Sequence, residues 1–199
     1  MSATAHGHVD RSDEFLERAF RELLIERGVL TQAEVDARVE LMYAREGAAF
    51  GQRVVARAWI DDAFRTRLLG DASSAVRELG IEIGALKLVV VENTPQIHNL
   101  IVCTLCSCYP RMLLGMAPDW YKSVGYRSRA VREPRALLAE FGLVLDPKRT
   151  LRVHDSTADM RYLVLPLRPA GTDGWAEAAL ALLVTRDSMI GVAEVVAPA

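Results

Sequence analysis

The sequence predicts an α+β protein in which a helical segment comes first and strands mixed with short helices follow. Three observations carry that prediction. Apolar residues between positions 13 and 27 recur at helical spacing. A β-branched apolar run, Leu86-Lys87-Leu88-Val89-Val90-Val91, marks a buried strand well downstream. Helical stretches fall irregularly around the later strands, which argues against regular βαβ alternation.

Phe15, Leu16, Ala19, Phe20, Leu23 and Leu24 form one face of the first helix, and Gly28 closes it as a C-terminal cap. Thr31-Gln32-Ala33-Glu34 has the form of a capping box, opening a second helix with Val35, Val39 and Met42 on one face. Gly47 and Gly51 then loosen the chain. A pair of one-faced helices is marginal alone, so these stripes pack either on the rest of the chain or on another chain. Asp61-Asp62 caps a short helix running through Leu69, and residues 71–79 form another, closed by Gly80. After the strand at 86–91, Asn93-Thr94-Pro95 is turn chemistry. Residues 97–102 form a second extended segment. Further helices are expected at 119–122 and 128–141, with Pro134 interrupting or restarting the latter. Residues 151–153 and 161–165 read as strands, 168–174 as a loop and 175–184 as a helix.

The apolar fraction of 51% and charged fraction of 25% are those of an ordinary globular protein. A net charge of −2 with mixed signs carries no electrostatic footprint for nucleic acid or an acidic membrane surface. No apolar run is long enough to span a bilayer. The start, MSATAHGHVDRSDE, has no apolar h-region, and His6 and His8 read as part of a tail. The expected compartment is the cytoplasm.

The cysteines are the chemically informative residues. All three, Cys103, Cys106 and Cys108, fall within one six-residue stretch. A disulfide framework would spread them out and favour an even number. Thiolates bind soft or borderline metals, and the spacing of Cys103 and Cys106 lets two of them meet one ion. A zinc ribbon would need a second, separated pair, and none exists. His98 is a possible fourth ligand, although a strand histidine is more often simply hydrogen-bonded. So tight a loop also brings the main-chain nitrogens of Ser107 and Cys108 near the metal, where a highly charged ion could displace their protons. By spacing alone the segment binds a metal; zinc stays open.

The segment Val102-Cys103-Thr104-Leu105-Cys106-Ser107-Cys108-Tyr109-Pro110 resembles the metal-binding claw of the nitrile hydratase α subunit. The resemblance extends through Val90-Val91-Glu92-Asn93-Thr94-Pro95 before it. After it come Asp119-Trp120-Tyr121-Lys122-Ser123, Tyr126-Arg127-Ser128-Arg129, Arg161-Tyr162-Leu163-Val164-Leu165-Pro166 and Val184-Thr185-Arg186-Asp187-Ser188-Met189-Ile190-Gly191. It covers the chain from about Glu17 onward.

That resemblance implies an N-terminal helical arm over residues 1–55 that embraces a partner, and a layered α/β/β/α catalytic domain over 56–199. It implies that the metal is held by the sulfurs of Cys103, Cys106 and Cys108 and by the main-chain amides of Ser107 and Cys108. Cys106, Ser107 and Cys108 would then be the catalytic residues. Cys106 is expected as a sulfinate and Cys108 as a sulfenate, since exposed, metal-activated thiolates climb the oxidation ladder. Thr104 matches the cobalt variant, so cobalt as Co3+ is expected in preference to iron. The implied reaction is hydration of a small-molecule nitrile to its amide, with the metal as Lewis acid. The implied partners are a nitrile hydratase β subunit, as one chain or split into two, in a heterodimer or heterotetramer, and a cobalt-insertion accessory protein.

Several positions depart from the family pattern. Arg111 and Met112 stand where many members have Trp-Pro, and Gly84 falls near a common glutamine. His154 and Leu167 replace a tryptophan and a glutamate. Tyr109, Arg111, Gly84 and Trp120 are the expected substrate-pocket residues, set against the plainer reading that such aromatics pack and such changes are compensated by a partner. Arg127 and Arg129 either orient the claw, bridge to the partner or are solvated. Two further functions fit the same residues: the metal-bearing subunit of a thiocyanate hydrolase, and a zinc- or cobalt-binding protein without turnover.

Overall fold

The computed structural model describes residues 11–37 and 48–198. The chain divides into two units, residues 1–45 and 46–199. The helix that spans residue 55 lies wholly in the second unit.

In the first unit, α1 (Arg11–Glu26) is supported by i,i+4 ion pairs, Arg18–Glu22 at 3.1 Å and Arg21–Glu17 at 3.7 Å. Phe15, Leu16 and Phe20 on its apolar face are exposed. Gly28 closes it in the left-handed conformation, φ +67°. The capping box is formed: the Thr31 N–H donates to Glu34 Oε2 at 2.8 Å and the Glu34 N–H to Thr31 Oγ1 at 3.2 Å. Residues 32–37 are helical, and Val39, Met42 and Gly47 lie outside the described residues.

The second unit opens with α2 (Ala49–Ile60), α3 (Asp62–Gly70) and α4 (Ala72–Glu78). Asp61 and Asp71 cap α3 and α4 by accepting from the main-chain N–H groups of Phe64 and Ser74. Gly51, read from sequence as loosening the chain, is instead buried inside α2. A Cβ there would lie 2.7 Å from Met189 Sδ and 2.9 Å from Leu114 Cδ2. The cost of glycine in a helix, about 1 kcal/mol, is offset by this close approach. Val54, Val55 and Ala58 of α2 are core residues, each worth roughly 1–3 kcal/mol on burial.

Two parallel strand pairs form the centre. β1 (Lys87–Glu92) pairs with β4 (Met160–Leu165), and β2 (Ile97–Val102) pairs with β3 (Thr150–Asp155). Two turns carry the chain from one sheet to the other. In one the Thr94 N–H donates to the Ile97 carbonyl, and in the second the Thr157 N–H donates to the Met160 carbonyl, both at 2.9 Å. The β2–β3 crossover holds α5 (Arg111–Leu114), α6 (Asp119–Lys122), α7 (Val124–Arg132) and α8 (Pro134–Glu140). Helices α3 and α4 pack on β1, β2 meets β1 and β4, and α7 and α8 pack on β2 and β3. The order is helix, sheet, sheet, helix. α9 (Glu177–Leu183) lies on α2, and α10 (Arg186–Ile190) on β4.

A buried polar network ties these layers. His98 Nε2 bonds the Gly191 carbonyl at 2.8 Å, and Asn93 Oδ1 accepts from the Asn99 main-chain N–H at 2.8 Å. His154 Nε2 donates to Asn99 Oδ1 at 2.8 Å. Gly191, at φ +94°, is required here: a Cβ would lie 2.0 Å from the Asn99 carbonyl oxygen. The network holds β2 in place up to its C-terminal end, where the cysteines begin.

Candidate metal centre

β2 delivers Cys103 from the core. Its side chain is buried, Cys106 is exposed and Cys108 half-buried, with Leu105 at the exposed tip of the loop. Cys106 Sγ lies 3.4 Å from Cys103 Sγ and 3.1 Å from Cys108 Sγ. These separations far exceed a disulfide bond of about 2.05 Å. All three sulfurs lie within 4.8 Å of one another, the arrangement of ligands around one ion.

The loop is held from three sides. Register β2–β3 sets Val102 beside Asp155. The Asp155 carboxylate accepts from both the Thr104 N–H at 2.9 Å and Thr104 Oγ1 at 2.5 Å. The Tyr121 hydroxyl donates to the Cys108 carbonyl at 2.9 Å, and Arg127 Nη1 donates to the Leu105 carbonyl at 3.2 Å. Tyr126 anchors the strand end through a 2.6 Å bond to the Ile101 carbonyl.

The thiols differ in their electrostatics. Cys106 is held below the ordinary thiol range, chiefly by hydrogen bonding from Cys108 and Cys103, with smaller help from the main-chain N–H groups of Cys108 and Ser107. Cys108 is pushed up to about 12, first by burial and next by its bond to Cys106, while Arg161 opposes the rise. The donor set fits a metal: three sulfurs converge within 4.8 Å, and the Cys106 N–H donates to Cys103 Sγ at 3.3 Å.

An open cleft of about 310 Å³ adjoins the sulfurs, with Cys106, Ser107, Cys108 and Tyr109 on one side and Arg111, Met116, Lys122 and Arg161 around it. Of the expected pocket residues, Tyr109 and Arg111 line this cleft. Trp120 does not: its ring packs edge-on against Tyr126 at 4.9 Å and Phe141 at 4.8 Å. Gly84 sits in a turn at φ +69°, its carbonyl accepting from Arg77, outside the cleft lining. His98 is fully buried and hydrogen-bonded within the layers, and it stands outside the metal cluster. Arg129 pairs with Glu133 and Glu140. The sequence alone assigns no role to Asp155, Tyr121 or Arg161. Their relation to the claw comes from chain pairings across the fold, which no local spacing reports.

A family model described as nitrile hydratase, alpha chain, matches residues 11–193. The chain belongs to that family. It is 50% identical over 179 residues to the cobalt-containing nitrile hydratase subunit alpha of Pseudonocardia thermophila, covering 88% of this chain and 87% of the relative. It is 45% identical over 193 residues to the thiocyanate hydrolase subunit gamma of Thiobacillus thioparus, covering 90% and 79%. A solved iron-type nitrile hydratase from Comamonas testosteroni Ni1 superposes with a TM-score of 0.89 at 43% identity, covering 95% of this chain and 93% of that one. The layered α+β fold of the second unit is therefore the nitrile hydratase alpha-chain fold, with the three cysteines gathered where β2 ends.

Proposed function

We propose that this chain is the metal-carrying subunit of a cobalt nitrile hydratase, completed by a β subunit, and that it converts a nitrile to its amide. The convergence of three cysteine sulfurs within 4.8 Å at the wall of an open cleft carries this reading. The cobalt-containing relative at 50% identity supports the choice of metal, as does Thr104. The sulfurs of Cys103, Cys106 and Cys108 and the main-chain nitrogens of Ser107 and Cys108 would hold the ion. When bound, trivalent cobalt supplies a Lewis acid toward the nitrile.

The chain's own residues do the rest. Asp155, Tyr121 and Arg127 fix the loop from both ends, so the sulfurs need little reorganisation. Arg161 sets a positive charge beside Cys108, where oxidation to sulfenate would place a negative oxygen. Because Cys108 lines the cleft, such an oxygen would be within it, as nucleophile or as base. Hydration forms one carbon–oxygen bond at the nitrile carbon, and the nitrogen gains the two protons of the water consumed. Cys106 is the residue expected as sulfinate. The exposed apolar stripe of α1, with Phe15, Leu16 and Phe20, is the surface that meets the β subunit. No helix among the described residues is long and apolar enough to cross a membrane.

A second reading, hydrolysis of thiocyanate, is favoured by one observation, the 45% identity to a thiocyanate hydrolase subunit. Co-expression with the neighbouring partner genes in cobalt medium separates the readings. The first predicts stoichiometric cobalt, two added oxygens on Cys106, one on Cys108, and amide formed from nitriles. Release of ammonia from thiocyanate with no amide from any nitrile selects the second. Stoichiometric zinc with unmodified thiols overturns both.

A further inference from the structure

The cleft wall beside the cysteines carries three cationic side chains, Arg111, Lys122 and Arg161, and no carboxylate. The protein's net charge is −2, so this concentration of positive charge is local. The three cations are differently committed. Arg161 Nη1 donates to the main-chain carbonyls of Thr157, Ala158 and Met160, which hold the guanidinium beside Cys108. Arg161 thus belongs to the claw. Lys122 Nζ is 3.0 Å from Asp119, but that carboxylate is 99% exposed, so the pair is weak and readily exchanged. Arg111 has no carboxylate partner among the described residues; its Nη2 meets only the thioether of Met116 at 3.2 Å. A thioether is a weak acceptor, and a guanidinium fork is built for a carboxylate.

We propose that the cleft selects nitriles that carry a carboxylate, which Arg111 and Lys122 hold while the nitrile carbon reaches the cysteine claw. This deepens the nitrile hydratase reading and rests on it. A cleft of about 310 Å³ has space for roughly ten waters, and so for a short cyano acid, without the chain changing shape. A neutral nitrile would leave the unpaired guanidinium to water and gain nothing from it. A carboxylate gains a charge-assisted contact at the end of the substrate away from the chemistry, where binding energy serves orientation.

The test uses the cobalt-loaded complex of this chain with its β subunit. The probes are ω-cyanobutanoate and its near-isosteric neutral amide, with propionitrile as a plain nitrile. The carboxylate is expected to exceed the amide in kcat/KM by roughly tenfold at low salt, a preference that shrinks as salt rises. Arg111→Met should remove most of that preference through a higher KM for the carboxylate, with cobalt content unchanged, and Arg111→Lys should retain part of it. An amide turned over as well as the carboxylate overturns the inference. So does an Arg111→Met variant that loses both substrates in equal proportion, or that loses cobalt. In each of those cases hydration of propionitrile by the unsubstituted complex leaves the hydratase reading standing. A cobalt-loaded complex that hydrates none of the three sinks that reading, and this inference with it.

Discussion

Removing the Asp155 carboxylate should loosen the claw without disturbing the core. Asp155 ends β3 and accepts two hydrogen bonds from Thr104, at 2.9 Å from the main-chain N–H and 2.5 Å from the hydroxyl. A hydrogen bond to a charged acceptor contributes about 1.5–3 kcal/mol net. Both residues are exposed, so solvent screening reduces the pair to a combined value of about 2 kcal/mol. These bonds pin the residue that follows Cys103, so most of that energy is preorganisation of the metal loop. Asp155→Ala should therefore weaken metal retention by roughly 30-fold, at about 1.4 kcal/mol per tenfold. Asp155→Asn keeps an acceptor for one of the two bonds and should fall between. The assay is competition with a graded chelator on the refolded or co-expressed complex, read as metal content, alongside a thermal melt. Thr104→Val in the Asp155→Ala background should add little, because the shared bonds are already gone. Metal retention within twofold of native in Asp155→Ala would show that these bonds do not hold the metal loop.

Other predictions concern the layers that present the claw. Gly191→Ala places a Cβ 2.0 Å from the Asn99 carbonyl oxygen at φ +94°; it should cost roughly 3 kcal/mol or more in a denaturant titration. Gly51→Ala meets two side-chain ends, Met189 Sδ at 2.7 Å and Leu114 Cδ2 at 2.9 Å, and the Leu113 carbonyl oxygen only at 3.0 Å, so it should cost less than Gly191→Ala; the reverse order would contradict the packing described. His98 is held below the ordinary imidazole range by burial, against the opposing bond to Gly191, and His154 is likewise lowered by burial. Burial favours the neutral form of both in the fold, so they take up protons more readily once unfolded. Their stability contribution is complete above about pH 6.5 and is lost as the pH falls below it. The fold should weaken on acidification through that window, and His98→Gln should flatten the slope; an unchanged slope would show that His98 does not titrate this way.

Much of the fold is legible because its determinants are local. Asp61 and Asp71 announce α3 and α4 as N-caps, the Thr31–Glu34 box forms as written, and residues 97–102 are both the predicted segment and the observed β2. Pro134 restarts the helix at α8, although α7 begins earlier than expected, at Val124, because Ser123 caps it by accepting from the Tyr126 N–H. Gly51 misleads because helix propensity disfavours glycine, while tertiary packing against Met189 and Leu114 requires it. The short α5 and α10 carry too few residues for a periodic signal. At the site, the cysteine spacing declares metal binding, yet the groups that hold the loop do not show. Asp155 reaches Thr104 from 51 residues away, through a strand register that exists only after folding. Trp120 looks like a pocket residue by its closeness in sequence to the claw, but aromatic packing on Tyr126 and Phe141 turns it into the core.

The most direct test of the central claim is metal analysis with mass spectrometry of the claw peptide, made on the chain co-expressed with its partner in cobalt medium. One cobalt per chain is expected, with two oxygens added at Cys106 and one at Cys108, and loss of the metal in Cys103→Ala. Stoichiometric zinc on three unmodified thiols, or cobalt that survives Cys103→Ala, would contradict it.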